Sequence, residues 1–135
     1  MNALHRIRTP FVLVNALLMV LFGLGALAAP EPLWGLTGVK VEASGVVRLM
    51  GWYLFVFGVG GLLAARHPER HPIAVALIGI EKIGPAVVFP LLYIQGDASV
   101  LLALFGAGDA LLAVVFVAYA WWLHTRNADE QSAAG

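Results

Sequence analysis

The chain has 135 residues, of which 61% are hydrophobic and only 12% charged, with eight basic residues balanced by eight acidic ones. Soluble domains carry roughly 25% charged residues, so a water-soluble fold of this length has too little polarity to cover itself, and a mean hydropathy of +0.88 points to lipid as the solvent. Without a basic cluster, nucleic acid is excluded as a partner, and without cysteine so are disulfides, thiolate metal sites and cysteine nucleophiles.

Residues 1 to 9 form a short basic leader with Arg6 and Arg8. Thr9-Pro10 reads as an N-cap followed by proline at the first helical position. The run from Pro10 to Ala29 contains one strongly polar residue, Asn15. At a rise of ~1.5 Å per residue it reaches ~30 Å, the thickness of a hydrocarbon core. A basic start, an apolar run and Ala26-Leu27-Ala28 also fit a secretory signal with its cleavage site. The run exceeds the roughly 7–15 residues of such a signal, and Pro30 and Pro32 follow closely, so a retained first span is expected.

Residues 30 to 44 are the longest connection, with alternating apolar and polar residues around Trp34. It reads as a loop on the headgroups or as a lid over a cavity between the helices. The second span, about 45–65, carries Arg48 near its start and Gly51, Gly58, Gly60 and Gly61 further on. Small residues allow close helix contact in lipid. Pro68 and Pro72 bracket a charged turn. His67 and His71 within it have metal-ligand spacing, but Pro68 breaks the helix that spacing needs, so a solvated interfacial pair is expected and no metal site.

The third span, about 72–94, holds Glu81, Lys82, Pro85 and Pro90. Gln95-Gly96-Asp97 is a tight turn with Asp97 as the expected N-cap of the fourth span, about 98–123. That span contains Asp109 and ends on Trp121-Trp122, and a polar, mobile tail follows from 124 to 135. The expected fold class is therefore all-α, a single four-helix transmembrane bundle. Arg6, Arg8, Arg66, Arg70 and Arg126 lie at one face and Lys40 alone in a loop at the other. The positive-inside rule then places both termini on the cytoplasmic side of a multi-pass protein.

Four ionisable residues fall inside the spans: Arg48, Glu81, Lys82 and Asp109. A lone charge at a helix centre costs ~2.5–3.5 kcal/mol on insertion scales, and the four formal charges sum to zero, so internal pairing is expected. Lys82 lies ~18 Å by helical rise from the outer end of its span and Asp109 ~17 Å from that of its own. The two helices are antiparallel through a short turn, which makes these side chains level and predicts a Lys82–Asp109 pair. Glu81 is set ~100° around the helix from Lys82 and is expected to face another neighbour or a cavity. Pro85 lacks the N–H that would satisfy the Glu81 carbonyl, which predicts a kink and a freed acceptor beside a carboxylate. Arg48, three residues inside its span, either snorkels toward Glu42 or Asp97 or faces the outer mouth of the polar centre. Gly23-Leu24-Gly25 and Gly106-Ala107-Gly108 lack the strand-to-helix context of a nucleotide loop, and Ser44, Ser99 and Ser132 lack that of a hydrolytic triad.

Arg48-Leu-Met-Gly51-Trp-Tyr-Leu-Phe-Val-Phe-Gly58, the Ala64-Ala65-Arg66-His67-Pro68 exit, the central lysine of the third span and Gly108-Asp109 in the fourth resemble small bacterial four-span membrane proteins of the DoxX-like type. The resemblance covers most of residues 10 to 123. It implies a four-helix bundle in the bacterial inner membrane and, for some relatives, association with quinone-linked redox enzymes. The expected function is a non-enzymatic accessory subunit, or a binder of a lipid or quinone-like ligand. Glu81, Lys82 and Asp109 would orient that ligand, Arg48 would stand at its mouth, and Trp52 and Tyr53 are possible ligand-facing aromatics. A quinone or lipid is the one cofactor class this reading leaves open, and membrane lipid, a second copy or a larger membrane complex are the expected partners. Two further classes are open: an isomerase-like intramembrane enzyme using Glu81 and Asp109 for proton transfer, and a proton- or ion-coupled carrier.

Overall fold

The computed structural model describes residues 3–40 and 44–134, with side chains for 10–40, 44–128 and 132. Five α-helices follow one another: α1 (Ala3–Ala28), α2 (Pro30–Gly35), α3 (Ser44–Arg66), α4 (Pro72–Gln95) and α5 (Val100–Ala134). A single 3-10 turn, Pro68–Arg70, separates α3 from α4, and there is no strand among the described residues. Four of the helices, α1, α3, α4 and α5, are long and apolar enough to cross a membrane. Most of their large apolar side chains are exposed, Leu21, Val56, Val87 and Val114 among them. Such an apolar exterior is consistent with a multi-pass membrane protein, in which acyl chains rather than water cover it.

Three helix boundaries differ from those expected. The first helix begins at Ala3 and carries Pro10 inside it. Proline removes only the bond its own nitrogen would donate, and that loss falls within the first turns of a long helix. The fourth spanning helix begins at Val100, with Ser99 rather than Asp97 immediately before it. Gly96 ends α4 in the left-handed region at φ 82°, and Asp97 N–H donates to the Leu92 carbonyl at 2.9 Å. That geometry uses Asp97 to close the preceding helix. At its far end α5 runs on through the expected tail to Ala134. Asn127 Nδ2 donates to the Glu69 carbonyl at 2.7 Å, tying this extension to the 3-10 turn. The third spanning helix runs unbroken through Pro85 and Pro90.

The helices pair as two antiparallel hairpins, α1 with α3 and α4 with α5. Small residues set both pairings. A Cβ at Gly23 would lie 2.6 Å from the Phe55 nitrogen, and one at Gly58 would lie 2.7 Å from the Val20 nitrogen, so the α1 and α3 backbones are nearly in contact. Gly79 and Gly106 do the same between α4 and α5, where a Cβ would lie 2.9 Å from Phe116 Cβ and 2.7 Å from Pro90 Cδ. Backbone approach of this kind maximises dispersion in a solvent that offers no hydrophobic drive.

The hairpins meet through larger side chains, and at one end only. Around the Arg66–Pro72 connection, Val12, Met19, Ala65, Val75, Ile78, Phe116, Ala120 and Leu123 form a buried cluster. Phe11 stacks on Phe116 across the hairpins with ring centroids 4.8 Å apart. Toward α2 this contact gives way to a cavity.

Candidate functional site

The cavity has a volume of about 590 Å³ and lies between the two hairpins. Ligand cavities typically measure roughly 300–1,000 Å³. All four spanning helices contribute to its wall, and the cover comes from Leu33, Trp34 and Thr37 in and after α2. Of the two readings of the 30–44 connection, the described part therefore takes the lid. Trp34 sits edge-on to Phe89 of α4 with centroids 6.0 Å apart. Ser99 N–H donates to the Thr37 carbonyl at 2.9 Å, and Thr37 Oγ1 donates to the Trp34 carbonyl at 2.7 Å. The cover, which follows directly on α1, is thus also tied to the α4–α5 hairpin. Residues 41–43 lie outside the described residues, so the Arg48–Glu42 pairing does too.

The ionisable groups stand where the cavity meets the packed end. Lys82 is 8% exposed, and its Nζ lies 3.1 Å from Glu81 Oε2 and 3.6 Å from Asp109 Oδ1. The Lys82–Asp109 pair has the level placement that helical rise requires. The Glu81 pairing departs from the expectation that it would turn to another neighbour. The ~100° between successive side chains is set at Cβ, and two long side chains bend back across it. One ammonium therefore bridges two carboxylates, and all three residues line the cavity.

The remaining sequence-predicted residues are not all brought there. Arg48 is exposed, does not line the cavity, and donates from Nη1 to the Leu27 carbonyl near the end of α1. It caps an unpaired carbonyl at a helix C-terminus, where a cation is electrostatically favourable. Tyr53 lines the cavity, whereas Trp52, one position earlier, faces outward at 52% exposed and stacks on Phe55. Pro85 lines the cavity one turn beyond Glu81. At the opposite end of the bundle, His67 Nδ1 stands 3.4 Å from Glu69 Oε1. Among the described residues no three His, Asp or Glu side chains are grouped as a metal-ligand set.

Two polar side chains that the charge pattern did not single out complete the site. Asn15 is 6% exposed and lines the cavity. Its Nδ2 donates only to the Met19 thioether at 3.3 Å, a weak acceptor, and its Oδ1 accepts no hydrogen bond from the described residues. A lone asparagine in an otherwise apolar span was the available signal. The Trp34 indole N–H is buried and has no acceptor among the described residues. The rest of the wall is apolar and rich in aromatic rings, with Phe22, Phe57, Phe89 and Phe105 facing the same space.

The wall is also open to the side. Leu18, Phe22, Met50, Tyr53, Leu104 and Phe105 line the cavity and are between 46% and 63% exposed. The chain matches no protein-family model, no curated protein and no solved structure.

Proposed function

We propose that the protein binds a lipid-like molecule, one with an apolar body and a single polar end, within the membrane. The observation that carries this reading is the cavity of about 590 Å³ between the hairpins, apolar along its length and charged at its inner limit. A structural ion pair needs no such space beside it; the packed end of the bundle is where a register-fixing contact would sit. Covered by α2 and open between exposed apolar side chains, the cavity suits a guest that arrives from the acyl chains. The distribution of lysine and arginine supports a cytoplasmic position for both termini and an outward position for α2. The DoxX-like motifs support a bacterial inner membrane as the location.

Gly108 supplies the test. It lines the cavity, and a Cβ there would meet nothing within 4 Å. Gly108→Leu therefore puts a side chain into the cavity without a clash at Cβ, and it removes a helical glycine, a change that favours the helix by about 1 kcal/mol. Protein purified in a mild detergent and extracted with organic solvent is expected to release a lipid-like compound at close to one per chain. Gly108→Leu is expected to release little of it while unfolding no more readily than wild type. Equal recovery from both proteins, after subtraction of bulk lipid, refutes the proposal.

A further inference from the structure

We infer that the polar end of the guest is an ammonium, so that the cavity selects a lipophilic amine over an alcohol or an acid of the same body. This rests on the ligand-binding reading above and specifies what the charged limit of the cavity recognises.

The argument begins with charge. Among the described lining residues Lys82 is the one cation, against the carboxylates of Glu81 and Asp109. Arg48, which would have balanced them, is turned away onto the Leu27 carbonyl. With both carboxylates ionised, one ammonium leaves the centre one positive charge short, in a setting where uncompensated charge is costly. The missing charge has a place to stand. Asp109 Oδ1 is 3.6 Å from Lys82 Nζ, well beyond the ~2.7–2.9 Å of a charge-assisted hydrogen bond, so Asp109 retains acceptor capacity. Asp109 lines the cavity, so that capacity is offered to whatever occupies it.

The second observation is independent of charge. Asn15, more than nine-tenths buried, lines the same space, and its Oδ1 is an acceptor with no donor among the described residues. Acceptors thus converge on the inner limit of the cavity: the one ammonium stands between both carboxylates at ion-pair distance, yet buried Glu81 Oε2 has no hydrogen-bond partner among the described residues. A carboxylate or phosphate head brings further acceptors and like charge. Quinone carbonyls also bring only acceptors, and would compete with Glu81 and Asp109 for Lys82. An alkylammonium brings three donors and the missing charge. Aromatic rings on the wall, Tyr53 and Phe57 among them, add favourable faces for a cation.

The test uses the full chain in uncharged maltoside micelles with three tail-matched probes: bromine-tipped dodecylamine, dodecanol and dodecanoic acid. The readout is quenching of Trp34 in a variant whose other tryptophans are phenylalanine, with the same measurement on Gly108→Leu subtracted to remove collisions in the micelle. The amine is expected to bind about tenfold or more tighter than the acid, with the alcohol between, a factor worth about 1.4 kcal/mol. Asp109→Asn, which leaves Lys82 and Glu81 as a balanced pair, is expected to erase most of that preference. Added phosphatidylethanolamine reads the source of the ammonium. Displacement of the amine assigns it to a lipid headgroup, and no displacement to a free amine; both outcomes uphold recognition of the ammonium. Equal binding of amine and acid overturns the inference and leaves the ligand-binding reading standing. Binding of none of the three above the Gly108→Leu background overturns both.

Discussion

Removing the charge of Lys82 is expected to destabilise the fold far more than removing that of Asp109, although each substitution breaks the same ion pair. At an effective dielectric of ~20, contacts of 3.1 Å and 3.6 Å are attractive by about 5.4 and about 4.6 kcal/mol before desolvation. Both carboxylate oxygens lie within those distances of one nitrogen, so they are at most about 6.7 Å apart and repel by about 2.5 kcal/mol or more on the same basis. Lys82→Met loses both attractions and keeps the repulsion. Asp109→Asn loses one attraction but also the repulsion, a gross difference of about 2 kcal/mol that the relieved desolvation of a buried carboxylate reduces further. After partial relief by water and side-chain motion, Lys82→Met is expected to cost about 3–5 kcal/mol, the usual range for orphaning buried charges, and Asp109→Asn about 1 kcal/mol or less. Denaturation by sodium dodecyl sulfate from dodecylmaltoside micelles, followed by helical circular dichroism, measures both. The triple variant Glu81→Gln, Lys82→Met, Asp109→Asn is expected to return most of the way to wild type, since neutral replacement of a buried ion network is close to break-even. Equal midpoints for the two single variants, or a larger loss for Asp109→Asn, would show that Lys82 does not hold the two carboxylates together.

The glycines of α3 provide a paired prediction. A Cβ at Gly58 would lie 2.7 Å from the Val20 nitrogen, while one at Gly60 meets nothing within 4 Å. Gly58→Ala is expected to destabilise by roughly 1–3 kcal/mol through forced separation of α1 and α3, and Gly60→Ala to stabilise by about 0.5–1 kcal/mol; the same detergent titration checks both signs. Asn127→Ala removes the 2.7 Å bond to the Glu69 carbonyl. It is expected to cost about 1 kcal/mol and to speed amide exchange in the last turns of α5, read by hydrogen-exchange mass spectrometry.

The spans and the level of the central charges were legible because both depend on rules that hold whatever the neighbours do. An apolar run has a length, a helix has a fixed rise, and a short turn keeps two antiparallel helices in step. Lys82 and Asp109 follow from those alone. Arg48 was harder, since counting formal charges looks for an acidic partner, whereas the group it meets is a main-chain carbonyl of Leu27 that every sequence contains. The far end of α5 shows a similar confusion of two boundaries. Hydropathy falls away after Leu123 and marks where the apolar stretch ends, but Asn127 to Ala134 contains no proline or glycine to end a helix, and the helix continues. Trp52 and Tyr53 are equally aromatic and adjacent in sequence, but neighbouring residues on a helix diverge by ~100°, and of the two only Tyr53 reaches the cavity.

The cavity was the least legible feature, and the reason lies in how the helices divide their small residues. Glycine on α3 draws α1 close, and glycine on α4 and α5 draws those two together, so each hairpin is internally tight. Where the hairpins face one another, bulk decides. Phe11, Phe116 and Ile78 fill the gap at the Arg66–Pro72 end, while toward α2 the cavity wall includes Gly51 and Ala26, which pack on each other within the α1–α3 hairpin, and Gly108, which has no side chain, so none of the three reaches across. That contrast requires knowing which face of each helix looks inward, and uniformly apolar spans barely specify it. The charges supply what apolar residues leave open. Lys82, Glu81 and Asp109 cannot face acyl chains without penalty, so they fix the rotation of α4 and α5 with the polar centre inward. The same rotation sets Glu81, Lys82 and Asp109 on the cavity wall together with Gly108. On this argument the ion cluster and the cavity are one feature: residues that orient the helices during assembly are, once assembled, the end of the space that a guest must satisfy.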